Sequence, residues 1–331
     1  MAEMSDGIIL VGIDEAGYGP ILGPMVASAT AFEVPGGLSD ACLWKALRKS
    51  VRETTETRDS RIPILDSKKL YHRKEGLARL ERSVLSAVHA WQGSPSTMRR
   101  LLGCLCSNVL ERLGEYPWYR EADPDLPTSA DAGSIRIAGN LLKRDLSTQS
   151  IRLAGCWSEV LLEGQYNRLV NQTRNKAVVL FGLVLRLIHR VAEAYPRHEL
   201  RIFVDKQGAR DRYAEPLLQA FQDRRLKVLE ENDDDSAYEL VSGPSKWRVR
   251  FTQSGESKHL PVALASLISK YLRELLMGCF NAYWSEQVPD LRSTAGYYQD
   301  GLRFLKAIRP HVRRLGIDEQ VLIRQRSGVE A

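Results

Sequence analysis

Asp14 and Glu15 stand side by side at the carboxyl end of a short β-rich run, Gly7-Ile8-Ile9-Leu10-Val11-Gly12-Ile13. Asp205 closes a second such run, Leu200-Arg201-Ile202-Phe203-Val204. Strand ends are rigid and therefore suited to fixing reactive groups. Carboxylates gathered there can hold two hard divalent cations about 3.5–4 Å apart, the arrangement that hydrolyses phosphodiesters. Glu274 is a further candidate, carried by a long apolar helix expected from Leu260 to Phe280 that also bears Lys270. Each group alone has an ordinary reading as well. An aspartate after a strand commonly caps a turn, and a helical glutamate commonly pairs with a lysine one turn away. Glu15 follows Asp14 directly, so in extended backbone its side chain leaves on the opposite side, unless the chain turns as Gly17 and Gly19 permit.

The elements that must position these groups alternate in type. Met25 to Phe32 reads as a second strand after the Gly- and Pro-bearing segment Ala16 to Pro24. Ala177, Leu180, Phe181, Val184, Leu187, Ile188 and Val191 recur at helical spacing within Gln172–Ala194, as in a helix that covers a sheet. Leu226–Leu229 and Trp247–Thr252 read as strands, while Glu230 to Asp235 reads as a solvated acidic loop. Between about 93 and 155 the pattern weakens, with a helical stretch near Leu101–Leu113 and a Pro/Asp/Ser-rich loop near Glu121–Ala132. The alternation predicts a mixed α/β architecture. We expect a core over 1–280 with an inserted lobe at about 93–155, and a helical basic region over 281–331.

Five blocks in order carry a resemblance. Gly12-Ile13-Asp14-Glu15-Ala16-Gly17-Tyr18-Gly19-Pro20, Asp66-Ser67-Lys68-Lys69-Leu70, Phe203-Val204-Asp205-Lys206-Gln207-Gly208, the helical segment Ala265 to Glu274, and Ala295-Gly296-Tyr297 together resemble the type 2 ribonuclease H family. The resemblance implies a ribonuclease H-like central sheet flanked by helices. It implies endonucleolytic hydrolysis of RNA in RNA–DNA hybrids, or at ribonucleotides embedded in duplex DNA, with Mg2+ or Mn2+ as cofactor. Carried across by position, it makes Asp14, Glu15, Asp205 and Glu274 the catalytic metal ligands. Gly17, Tyr18 and Gly19 would face the 2′-hydroxyl that distinguishes RNA from DNA. Ser67, Lys68, Lys69 and Lys270 would meet the strand, Tyr297 would pack on a sugar, and Glu256 would support the ligands without holding metal.

The sequence departs from the family pattern at three places. Tyr18 stands where a basic side chain is usual, and Glu274 replaces an aspartate with a side chain longer by one C–C bond, about 1.5 Å. Tyr298-Gln299-Asp300-Gly301 follows Tyr297 in place of a basic, histidine-bearing continuation, although Asp300 could simply cap a helix beginning near Leu302. These departures keep an alternative open, a catalytically weak or inactive homologue that binds structured nucleic acid. A protein-interaction role centred on the 93–155 lobe is a third reading.

Composition bounds these readings. The chain has 331 residues, 44% hydrophobic and 27% charged, enough for a sizeable core. Its net charge of +6 permits a polyanionic partner without demonstrating one. Arg303, Lys306, Arg309, His311, Arg313 and Arg314 form a basic cluster that could touch phosphates or merely face water. The five scattered cysteines suit neither a disulfide framework nor a zinc site. No uncharged run reaches the ~18 residues of a membrane span, and the N-terminus lacks a signal-peptide pattern. A cytoplasmic monomer is expected.

Overall fold

Residues 7–16 are extended throughout, with Ile9, Val11 and Ile13 packed to one side and Leu10 to the other. Both faces of this strand are covered, which explains why its sequence is almost continuously apolar. The computed structural model describes residues 7–39, 41–55, 59–72, 76–207 and 210–325. Its strands are β1 (Gly7–Ala16), β2 (Met25–Pro35), β3 (Val51–Arg52), β4 (Ile62–Pro63), β5 (Arg152–Leu161), β6 (Glu199–Asp205), β7 (Arg225–Glu231), β8 (Asp235–Ser242) and β9 (Ser245–Thr252).

Seven of them form one mixed sheet in the order β5-β2-β1-β6-β9-β8-β7, and β3 pairs with β4 separately. β1 runs antiparallel to β2 and parallel to β6, and β6 runs parallel to β9. In this register Ile13 lies beside Val204, so Asp14 and Asp205 leave the sheet at neighbouring strand ends. The helix Lys176–Ala194 covers one face through Leu180, Val184 and Leu187. The other face carries the helix Leu260–Gln287, which continues well past the expected end at Phe280. It lies very close to β1 because Gly12 leaves room for it: a Cβ there would sit 2.1 Å from the Pro261 carbonyl carbon.

The acidic stretch expected as a loop is only partly one: Glu230 and Glu231 end β7, Asp235 begins β8, and Asn232 to Asp234 make the turn into β8, a strand that the sequence pattern does not announce. Lys206 anchors that turn, its ammonium donating to the carbonyls of Asn232 and Asp233 at 2.9 and 2.7 Å. The 93–155 segment is mostly helical, with helices Met98–Cys106, Leu110–Leu113, Pro117–Arg120 and Ala132–Thr148, and from Arg152 it is part of β5. It shares one apolar cluster with the long helix: Trp118 packs edge-on against Phe280 with ring centroids 5.3 Å apart. Glu81, fully buried, ties the two together. It accepts hydrogen bonds from the backbone of Thr128, Ser129 and Ala130 and from the Tyr271 hydroxyl.

The tail helix Tyr298–Arg314 buries Phe304, Ile308 and Val312 in the same cluster. Asp300 is not its cap. The helix begins at Tyr298, and the carboxylate instead accepts from Thr294, Ala295 and Arg303, fixing the preceding loop. Arg303 is thereby committed to structure, whereas Lys306, Arg309, Arg313 and Arg314 are exposed. All five cysteines are unpaired, and among the described residues no helix is long and apolar enough to cross a membrane.

Candidate active site

The ends of β1 and β6 deliver Asp14, Glu15 and Asp205 to one place, each acting electrically on its neighbours. After β9 the backbone turns sharply at Ser254, which has φ 54°, and starts the short helix Gly255–Lys258. That turn aims the Gly255 N–H at Asp205 Oδ1, 2.6 Å away, and brings Glu256 into the cluster. The long helix closes the site from one side. Its Ser266 hydroxyl bonds toward Asp14, and Ser269 donates to the Asp14 carbonyl at 3.0 Å.

Burial and like charge dominate the electrostatics. Burial, then the Glu15 and Asp205 carboxylates, raise Asp14 well above the usual range, against the Ser266 hydroxyl and the Glu15 N–H. Burial followed by Asp205 and Glu256 pushes Glu15 up to about 8, with Lys68 opposing. Asp205 reaches about 7 through burial and Glu256, opposed by the Gly255 N–H and Lys68. Four carboxylates thus share a partly desolvated corner, with Lys68 the leading ammonium acting on them among the described residues, an arrangement that favours either protons or added cations.

Lys68 comes to the cluster on a short helix, Ser67–Leu70, capped by Asp66, whose side chain accepts from the Lys68 N–H. Ser67 lies beside Ser266, their hydroxyls 3.2 Å apart. Lys69 is exposed and is not among the leading charges acting on the carboxylates. Gly17 takes φ +87°, and a Cβ there would meet the Arg273 Nε at 2.6 Å, so glycine is required. Gly19 has no such constraint and faces open space. Tyr297 is 51% exposed on a loop that docks against the same turn, the Gly296 carbonyl accepting from Ile21 and Leu22.

Glu274 is not brought to this cluster. Its carboxylate accepts from the Tyr71 hydroxyl and from Lys270, both at 2.8 Å, and lies 3.6 Å from Arg273. Burial raises its pKa, but Lys270, Arg273 and Tyr71 outweigh burial and hold it below the ordinary value. The helix explains the separation. Ser266, Lys270 and Glu274 share a stripe, but eight residues at about 1.5 Å of rise put Glu274 about 12 Å along the axis from Ser266. The side chain that joins Asp14, Glu15 and Asp205 is Glu256. Lys270 is correspondingly engaged with Glu274, and its ammonium lies 4.9 Å from the Tyr71 ring centroid.

The donor set is all carboxylate oxygen, the chemistry that suits Mg2+ or Mn2+ and not the softer thiolate-binding metals. Glu256 Oε2 is buried and has no hydrogen-bond partner among the described residues, so one carboxylate oxygen is desolvated and unpaired. Among the described residues no three His, Cys, Asp or Glu side chains converge tightly enough to enclose an ion by themselves. The match to a hard divalent ion is therefore one of donor chemistry and charge, not of a formed coordination geometry.

Fold and site together define a mixed α/β protein with a partly buried carboxylate cluster beside adjacent strand ends. No protein-family model matches the chain, and neither does any curated protein. Among solved structures it is similar to the RNase HII of Archaeoglobus fulgidus, determined as a complex with PCNA, at 16% identity and a TM-score of 0.45, covering 98% of this chain and 97% of that one. It is also similar to the ribonuclease H2 of Pyrococcus horikoshii, at 12% identity and a TM-score of 0.44, covering 95% and 92%. Bst-RNase HIII in complex with Mn2+ shares 17% identity at a TM-score of 0.42, covering 96% of this chain and 66% of that one.

Proposed function

We propose that this chain is a divalent-metal-dependent endonuclease that hydrolyses the RNA strand of an RNA–DNA hybrid, or cuts at a ribonucleotide embedded in duplex DNA. The observation that carries the reading is the gathering of Asp14, Glu15 and Asp205, at the ends of β1 and β6, with Glu256 from the short helix after β9. These four would hold Mg2+ or Mn2+, which when bound supplies Lewis acidity toward water and neutralises charge on the leaving oxygen. The order of blocks resembling type 2 ribonuclease H supplies the substrate class.

The remaining roles belong to side chains and backbone already in place. Lys68 offsets part of the negative charge and can meet the scissile phosphate. Ser266 and the Gly255 N–H orient Asp14 and Asp205. The Gly17–Gly19 turn, held from behind by Arg273 and Pro24, offers close backbone approach to a ribose. Tyr297 offers an exposed ring for a sugar beside that turn. Glu274 holds Tyr71 and Lys270 together through its two hydrogen bonds.

The test is cleavage of paired labelled substrates, a full hybrid and a DNA duplex with one ribonucleotide, with Mg2+ or Mn2+ and with chelator. Metal-dependent cutting that leaves 3′-hydroxyl and 5′-phosphate ends is expected for at least one substrate. Folded wild-type protein that cuts neither over a wide metal range would refute the activity.

A further inference from the structure

The C-terminal segment returns to the substrate-facing turn and encloses a small cavity there. Asn167 docks it: its side-chain amide donates to the Gln320 and Ile323 carbonyls, both at 2.7 Å, and its oxygen accepts from Gln325 N at 2.8 Å. Arg324 is 2% exposed and donates to the carbonyls of Gly17 and Tyr18. Its guanidinium lies 4.0 Å from the Tyr166 ring centroid, and its Nε has no hydrogen-bond partner. Lys176, at the start of the helix Lys176–Ala194, places its ammonium 4.8 Å from the Tyr18 ring centroid. Among the described residues no carboxylate pairs with Lys176. The cavity between these groups holds about 190 Å³, and its lining includes Tyr18, Gly19, Lys176, Tyr298 and Arg324 but no acidic side chain.

We propose that this cavity is an anion site that takes one backbone phosphate of a nucleic-acid strand, with Lys176 as the contacting donor and Arg324 as buried supporting charge. The proposal rests on the nuclease reading for its ligand but on separate residues for its geometry. Lys176 has no carboxylate partner among the described residues, and Arg324 is desolvated, with the buried Glu163 acting on its charge but not ion-paired to it; together they favour an anion. Arg324 is committed to two carbonyls, whereas Lys176 has a flexible stem and three donors with only an aromatic face beneath it. A polyanion that approaches four carboxylates is repelled, and a positive pocket nearby offsets that repulsion. Gly19 is four residues from Glu15, at most about 14 Å along an extended chain. That distance corresponds to a few nucleotide steps at about 3.4 Å of rise per strand. Through its two carbonyl bonds Arg324 also links occupancy of the cavity to the shape of the Gly17–Gly19 turn.

The experiment has two arms, both on the full chain with folding checked by circular dichroism. In the first, binding of a labelled RNA–DNA hybrid is measured in chelator across a salt series for wild type, Lys176→Met and Lys176→Arg. The methionine variant is expected to bind about threefold to tenfold more weakly and to lower the salt slope by about one, with the arginine variant restoring both. In the second, inorganic phosphate is titrated calorimetrically, and wild type is expected to bind it more tightly than Lys176→Met. Phosphate binding that depends on Lys176, in a protein that neither binds nor cuts hybrid, would keep the anion site and remove the nuclease reading. Hybrid binding and cutting with unchanged affinity and slope in Lys176→Met would overturn the anion site and leave the nuclease reading standing.

Discussion

At the scale of single residues, the site is built against stability. Asp14 is buried with Glu15 and Asp205 acting on it, and among the described residues no guanidinium or ammonium is a leading influence on it. Removing one such charge should relieve repulsion in metal-free protein. Asp14→Asn is therefore expected to raise Tm in chelator by roughly 2 °C or more while abolishing turnover. Added Mg2+ or Mn2+ should then raise the wild-type Tm and leave the variant nearly unmoved, as differential scanning calorimetry would read. A variant that melts lower than wild type in chelator would show that the carboxylate is held by partners and not strained. The sequence exposed three of the four acids because they end or follow apolar strand runs. Glu256 was legible only as a supporting acid, because its placement depends on the left-handed turn at Ser254 and on one backbone hydrogen bond to Asp205. Glu274 looked equivalent because a helical stripe shows which face a residue takes but not how far along the axis the chemistry lies.

At the scale of elements, the decisive contact is the long helix against β1. Its closeness depends on the bare Cα of Gly12, since a Cβ would collide with backbone atoms of Pro261 and Val262, neither of which can rotate away. Gly12→Ala is expected to cost about 3 kcal/mol or more, the upper range of overpacking, and to displace Ser266 and Ser269 from Asp14. Gly37→Ala is the control, because no atom lies within 4 Å of a Cβ there, and it should be nearly neutral. Urea denaturation of both variants reads the difference directly, and equal midpoints would contradict the packing account. β1, β6, β9 and the two covering helices were legible from apolar periodicity alone. β8 was not, because Asp235 to Ser242 follows an acidic run and mixes polar residues into both faces. The docking of 319–325 was also not legible, since Asn167 and Arg324 carry no sequence pattern that links them across the chain.

At the scale of the whole molecule, acid should destabilise the junction between β6 and the long helix. His259 stacks on Phe203 with ring centroids 3.9 Å apart. Burial, then Arg250 and Lys258, lower its pKa to about 4, with Asp235 opposing. A base whose pKa falls on folding binds its proton more readily when unfolded, so its contribution is complete above about 6.5 and is lost as pH falls toward 4. The loss should be on the order of 2 kcal/mol once solvent screening is allowed for. Because the acidic cluster titrates as well, the informative quantity is the difference between wild type and His259→Phe. The variant should lose less stability than wild type between pH 7 and 4.5, and parallel stability curves would rule the mechanism out.

Which glutamate completes the site is read most directly by one measurement. Metal-dependent cleavage of a labelled RNA–DNA hybrid, or of the single-ribonucleotide duplex if that is the better substrate, should be compared for wild type, Glu256→Gln and Glu274→Gln at saturating Mg2+ and Mn2+. Glu256→Gln is expected to lower turnover by about 100-fold or more, as loss of a metal-holding carboxylate should. Glu274→Gln should stay within about threefold of wild type and lose about 1 kcal/mol of stability through its weakened pairing with Lys270. The opposite ranking, with Glu274→Gln inactive and Glu256→Gln near wild type, would contradict the assignment of the site.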